Sequence, residues 1–384
     1  MPLVRDITQK LYFYAINFNR ALCYHSIFRK ILKGKQLPDV KPEIRKDYKT
    51  LWKSIGRNPG SLFLKCMISI SGVESPYYVT DYIYYTAIEP ILNYTLFSYP
   101  YNDKNFYERY LSEYADLFPR VYLRGMNSSF YDKDYKWLTD KEAEKIILNL
   151  NPDYEYILKP ATESGAGKNV SLLKFKNNLA YIDGEEIKVS DLLNGLRQGI
   201  YHNFVLQERI KQSDWFGHIG SDATNIIRIF TYRSVKTNEV HILHSYFRYA
   251  YKNEKFLHYL KHGGLRQGIS PEGFLDDFAM DYYGNKFSAT EHVDFYKTAK
   301  VPHYEKMVAL AREIGSKYTY HRLLGFDFIV DSNEEVRVLE LNTRQIGRLH
   351  HQMIAGPLFG EFTNEVVEYC RNNKKSPFLY PYYK

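Results

Sequence analysis

Apolar and polar residues alternate with a period of two in several short runs of this chain, and recur with a helical period in others. The clearest pair of runs is Gly325-Phe-Asp-Phe-Ile-Val330 and Val336-Arg-Val-Leu-Glu-Leu-Asn-Thr343, joined by the polar Asp331-Ser-Asn-Glu-Glu335. They read as two strands with a turn between them. Further strands are expected at Tyr156-Ile-Leu-Lys-Pro160, Ser171-Leu-Leu-Lys-Phe175, Phe204-Val-Leu-Gln-Glu-Arg-Ile210, Asn225 to Tyr232 and His241 to Tyr249. Helices are expected over residues 1 to about 35, 43–70 with a break at Asn58-Pro-Gly60, 105–118, from the N-cap Thr139, near 190–199, over 303–318 and over 358–372. Leu37-Pro-Asp-Val-Lys-Pro42 is a breaker, and Tyr304, Val308 and Ala311 share one helical face. No internal repeat or low-complexity tract is visible.

The polar residues inside these runs carry the chemistry. Side chains alternate across a strand, so Glu340 and Asn342 point to one face. If the two strands form a hairpin, Asp327 joins them, and three hard oxygen ligands suit Mg²⁺ carried by a nucleotide. A hairpin with solvated carboxylates is equally compatible with this segment alone. Lys159 closes an apolar run and leads into Ala161-Thr-Glu-Ser-Gly-Ala-Gly-Lys-Asn-Val170, where Gly165 and Gly167 allow close backbone approach to a phosphate. This is not a Walker A loop, since Thr162 and Asn169 stand where that pattern needs Gly and Ser/Thr. Arg228 and Arg248 lie in apolar, aromatic surroundings, where each must meet a protein carboxylate or a bound anion.

Composition narrows the setting. The 384 residues suffice for two or three packed subdomains, with 45% apolar and 25% charged residues as in an ordinary globular protein. The 37 tyrosines and 23 phenylalanines exceed the usual share; most are expected in core and surface packing. Cys23, Cys66 and Cys370 form no disulfide framework or zinc spacing, and His241, His244, His350 and His351 have no ligand partner at metal spacing. No signal peptide or membrane-spanning run is read, so a cytoplasmic setting is expected. Residues 1–60 hold 13 Lys/Arg against 4 Asp/Glu, while the whole chain is only +8. The excess therefore lies at the start. A basic, aromatic segment over residues 1–35 fits either an anionic membrane face, making the protein peripheral there, or a solvated helical cap. No nucleic-acid motif appears, and no nucleic-acid partner is expected.

Taken in order, these features resemble the ATP-grasp superfamily of carboxylate–amine ligases. The shared order is an early lysine, a strand ending in lysine, a glycine-rich loop, a strand ending in glutamate, an arginine-bearing strand, and a closing Asp…Glu-x-Asn. The residues Ser221-Asp-Ala-Thr-Asn-Ile-Ile-Arg-Ile-Phe-Thr231, His262-Gly-Gly264, Val301-Pro302 and Leu324-Gly-Phe-Asp327 are closer still to the sugar-transfer-associated branch found with polysaccharide-biosynthesis enzymes. The resemblance covers roughly residues 100 to 365. It implies an α+β ATP-grasp fold in which two subdomains grip ATP, preceded by a helical, basic N-terminal region. The expected division is 1–100 helical and aromatic, 101–150 linking helices, 151–212 lid, and 213–384 C-terminal subdomain with the metal site.

The resemblance also implies the site. Lys104 and Lys159 would meet nucleotide phosphates, with Ser164, Gly165 and Gly167 in the loop above them. Gln207, Glu208, Ile210 and Asp214 would line the adenosine end, Glu208 at the adenine edge and Asp214 near the ribose. Asp327, Glu340 and Asn342 would hold Mg²⁺. Arg228 and Arg248 are the expected stabilisers of the transferring phosphoryl group. Arg344 is a third catalytic candidate, because Thr343-Arg-Gln-Ile-Gly347 replaces the Pro-Gly that many relatives carry. The expected reaction joins a carboxylate and an amine through an acyl phosphate, on small-molecule or glycan substrates. A kinase on the same fold and a non-catalytic nucleotide-binding scaffold are the alternatives.

Overall fold

The computed structural model describes residues 37–56, 58–162, 169–176, 179–219, 224–250, 264–288, 299–344 and 346–373, with 11, 15, 28 and 30–32. The basic segment over residues 1–35 lies almost wholly outside the described residues. Ser164, Gly165, Gly167, His262 and the Ser221-Asp-Ala stretch lie outside them too.

Fifteen strands form two antiparallel sheets among the described residues. The first contains β1 (Val121–Met126), β2 (Ser129–Tyr131), β3 (Trp137–Leu138), β4 (Tyr156–Pro160), β5 (Ser171–Lys176), β6 (Leu179–Ile182), β7 (Glu185–Lys188) and β8 (Phe204–Glu208), in the order β3-β2-β1-β8-β4-β5-β6-β7. The second contains β9 (Ile226–Arg233), β10 (Val240–Ala250), β11 (Gly264–Ile269), β12 (Leu275–Met280), β13 (Lys286–Phe287), β14 (Leu323–Val330) and β15 (Val336–Asn342), in the order β13-β12-β11-β10-β9-β14-β15. Antiparallel sheets with helices segregated beside them make this an α+β architecture.

Each sheet is sided. One face of the first sheet carries Leu123, Phe130, Tyr156, Leu158, Leu173, Phe175 and Leu206, packed with Ala143 and Ile147 of the helix Asp140–Leu148 and Leu192, Leu193 and Leu196 of the helix Val189–Leu196. Thr139 caps the former helix with a full capping box to Glu142. The opposite face has only the small cluster Val121, Ala161 and Val205. Lys159 stands opposite Val205 and Gln207 opposite Val121, so both belong to this thinly covered face. In the second sheet, Ile227, Ile229, Phe247, Phe326 and Phe328 pack with Met307, Ala311 and Ile314 of the helix Tyr304–Lys317. The other face is apolar at one end, where Phe230, Tyr232 and Tyr246 join a core with the helices Ser61–Ser71 and Arg348–Ala355. Its other end is charged. His244 and His351 belong to the apolar end, with ring centroids 4.3 Å apart, and burial pushes the pKa of both below the ordinary histidine value.

Two expectations are corrected. The stretch 101–150 is not only linking helices: β1, β2 and β3 lie within it, because β1 pairs with β8 and extends the first sheet back to Val121. Its buried Arg124 disguises the strand. The guanidinium is absorbed by Glu108, the Asn105 carbonyl and the Tyr135 ring, 4.3 Å from its centre. The single helix expected over 105–118 is instead one turn, Tyr107–Tyr110, followed by a 3₁₀ segment, Ser112–Leu117. Pro119 pushes Phe118 to extended dihedrals. The guanidinium of Arg337 takes the Leu117 and Phe118 carbonyls that helix continuation would use.

Candidate active site

The charged end of the second sheet is built by register. Arg228 of β9 stands opposite Asp327 of β14, which stands opposite Glu340 of β15. Directly opposed residues share a face, so the three side chains form a row across neighbouring strands. Two carboxylates side by side repel unless cations separate them. Arg228 grips both Asp327 oxygens through its Nε and a terminal nitrogen. Burial works against the charged guanidinium, but the pull of Asp327 outweighs it and raises the Arg228 pKa further. Glu340 receives Lys104 Nζ at 3.2 Å. Burial would raise the Glu340 pKa, yet Lys104, Lys159 and Arg228 together hold it below the ordinary value. Asn342 stands opposite Gly325, and its amide nitrogen lies 3.5 Å from the Gly325 carbonyl.

The lysines arrive from the other side. The helix Thr95–Asn102 ends just before Asp103, whose carboxylate receives the Asn105 amide at 2.9 Å. Lys104 is then fixed by its own amide to the Ala161 carbonyl at 3.0 Å, while Asn105 reaches the Gly125 carbonyl at 3.1 Å. Asn102 accepts from the Thr343 amide and hydroxyl, at 3.0 and 2.9 Å, anchoring the same segment to the end of β15. Lys104 therefore bridges the two sheets. Lys159, 9% exposed, has no hydrogen-bond or ion-pair partner among the described residues. Burial and neighbouring Lys104 bring its pKa down to about 7, against the pull of Glu340 and Asp327.

Arg248 lies on the same sheet face, two positions beyond Tyr246, which opposes Arg228. It has no carboxylate within ion-pair distance among the described residues, and burial with Arg228 lowers its pKa. Its direct neighbour across β10 and β11 is Arg266, a residue the sequence reading passed over. The signal was present: an arginine inside the apolar run Gly264-Leu-Arg-Gln-Gly-Ile269. Arg344 packs its guanidinium 4.9 Å from the centre of the Tyr99 ring.

Glu208, Ile210 and Asp214 line a cleft of about 1210 Å³ with Tyr154 and Tyr156. The Glu208 carboxylate accepts from Arg337 at 2.7 Å and from the Arg120 amide at 2.9 Å. Arg337 is a second residue the sequence reading did not single out; it also reaches Asp331 at 3.2 Å and so ties β8 to β15. Gln207 is buried on the face that carries Lys159. Of the predicted residues, Lys104, Lys159, Arg228, Asp327 and Glu340 thus cluster as charges between the sheets, while Glu208, Ile210 and Asp214 line this cleft.

The oxygen set fits a small divalent cation. Among the described residues no group of three His, Cys, Asp or Glu gathers as a closed metal cage. Asp327 and Glu340 are opposed on adjacent strands with Asn342 two residues further, and Mg²⁺ characteristically takes one or two carboxylates while leaving its remaining positions to phosphate oxygens and water. Taken with Lys104, Lys159 and Arg228, the arrangement can neutralise a polyphosphate without a protein nucleophile.

No curated protein matches the sequence. Among solved structures, similar chains include the biotin carboxylase domain of 2-oxoglutarate carboxylase from Hydrogenobacter thermophilus, solved with MgADP and bicarbonate. It shows 13% identity over 70% of this chain and 45% of that one, with a TM-score of 0.39. The D-alanine–D-alanine ligase of Bacillus anthracis is 11% identical over 71% of this chain and 68% of its own, with a TM-score of 0.38. VanG D-Ala:D-Ser ligase from Enterococcus faecalis is 12% identical over 71% and 61%, with a TM-score of 0.40. The chain spans about half the length of the carboxylases, 45% and 46% of the two similar ones. Among the described residues, no helix is long and apolar enough to cross a membrane. The profile for sugar-transfer associated ATP-grasp proteins matches residues 94–366, most of the chain and all of both sheets, and this protein belongs to that family.

Proposed function

We propose that this protein is an ATP-dependent, ADP-forming ligase that joins a carboxylate to an amine in the making or modification of a surface polysaccharide. The observation that carries the reading is the row Arg228–Asp327–Glu340 meeting Lys104 and Lys159 between the sheets. Cations there suit a triphosphate whose terminal phosphoryl group is transferred, since such transfer needs mainly positioning and charge neutralisation.

Lys104 and Lys159 bind the phosphates, and Gln207, Glu208, Ile210 and Asp214 receive the adenosine end. Asp327, Glu340 and Asn342 would hold Mg²⁺, which would neutralise phosphate charge. Arg228, held against Asp327 beside the phosphate-binding lysines, would lend its positive charge to the phosphoryl oxygens. A substrate carboxylate oxygen attacks the γ-phosphorus and ADP leaves. The amine nitrogen then attacks the acyl carbon, phosphate departs, and the amine gives up a proton. A substrate carboxylate labelled with ¹⁸O tests this: one label passes to inorganic phosphate. Label in AMP, or a phosphoryl group retained on the product, overturns the reading.

A further inference from the structure

Arg266 is 1% exposed, and among the described residues none of its three guanidinium nitrogens has a hydrogen-bond partner. Arg248 stands directly opposite on β10, with its own Nε unpartnered among the described residues. Like charges opposed across a ladder destabilise a sheet, and an uncompensated buried charge costs several kcal/mol. Arg228, the third arginine on this face, is already taken by Asp327. Asp276 of β12 lies over Gly268, where its carboxylate would touch an added Cβ, and it makes no hydrogen bond to Arg266. Burial and the two neighbouring arginines pull the Arg266 pKa down to about 10, offset by Tyr246 and Tyr282.

We infer that Arg248 and Arg266 form a second anion subsite that binds a phosphoryl group other than those of the nucleotide. The inference rests on the ligase reading above and deepens it by naming a substrate class, a phosphorylated acceptor. Arg266 is three strands from Asp327, about 14 Å across the sheet at about 4.8 Å per strand, so its anion is not the one at the metal pair. Charge selects the ligand. One carboxylate satisfies a single guanidinium fork. A phosphate monoester carries about −1.5 to −2 charges and three acceptor oxygens, which match two forks side by side. The same chemistry would also hold free phosphate after the reaction.

Thermal unfolding of the full chain tests this, for wild type and Arg266→Met, with and without MgADP. The additions are inorganic phosphate, sodium acetate at equal ionic strength, and glucose 1-phosphate against glucose. Wild-type Tm should rise with phosphate and not with acetate. Arg266→Met should unfold above wild type in anion-free buffer, because the uncompensated charge is gone, and should lose the phosphate-dependent rise while keeping the MgADP rise. A larger rise with glucose 1-phosphate than with phosphate marks an acceptor-substrate group; the reverse marks the released product. A variant that unfolds below wild type and keeps the phosphate rise, or acetate as effective as phosphate, overturns the inference. If Arg266→Met does not fold, equilibrium dialysis of wild type saturated with MgADP decides. One phosphate bound per chain, displaced by glucose 1-phosphate but not acetate, supports the subsite, and no uptake overturns it. An Arg266-dependent phosphate rise without any MgADP rise would leave the subsite standing and remove the ATP reading instead.

Discussion

Asp327 and Glu340 face each other across β14 and β15, yet each is neutralised from a different direction, Asp327 by Arg228 of β9 and Glu340 by Lys104 between the sheets. Each acid thus has a cationic partner within the protein.

Asp327→Asn is expected to lower ATP-dependent turnover by about 10²-fold or more, the scale on which losing one preorganised electrostatic group acts. It also strands Arg228, which should cost about 3–5 kcal/mol of stability. Arg228→Met with Asp327→Leu should recover most of the stability and none of the turnover. Urea unfolding beside an ADP-release assay separates the two effects; normal turnover in a folded Asp327→Asn variant would contradict the metal assignment.

Lys159, held near pKa 7 by burial and Lys104, is largely neutral above that pH in the free protein. The unfolded chain keeps the proton up to the ordinary lysine value of 10.5. Stability therefore rises with pH between those limits, because the unfolded state binds more protons there. Phosphate binding favours the charged lysine, so MgADP should bind with proton uptake at pH 8. Calorimetry in buffers of different ionisation enthalpy measures that uptake, and Lys159→Met should abolish it.

Gly125 lies where an added Cβ would sit 2.2 Å from the Phe204 ring, its partner across β1 and β8. Gly125→Ala should cost about 1–3 kcal/mol by overpacking. Its carbonyl also receives Asn105, beside Lys104, so the apparent affinity for MgADP should fall too. An unchanged unfolding midpoint would show that the sheet relaxes freely there.

Arg337 joins Glu208, Asp331 and the Leu117 and Phe118 carbonyls. Arg337→Met should cost roughly 2–4 kcal/mol, since it removes the cationic partner of two acids and a donor to two carbonyls. Hydrogen exchange should quicken at 112–118 and along β15; exchange raised only elsewhere would argue against this anchor.

The sequence by itself determined what depends on neighbours along the chain. Alternation specified β14 and β15 with Asp327, Glu340 and Asn342 at their positions, and the helical period specified Tyr304–Lys317. Arginines in apolar runs announced that Arg228 and Arg248 needed anions, and the same argument applied to Arg266 would have found it. Only the tertiary structure decided which anion each one meets. Arg228 finds Asp327 at a separation of 99 residues, whereas Arg266 finds no hydrogen-bond partner among the described residues. It also decided that β1 lies beside β8 and that Lys104, just beyond the helix Thr95–Asn102, reaches Glu340. Strand order and charge pairing are set by distances across the fold, and no local periodicity encodes those distances.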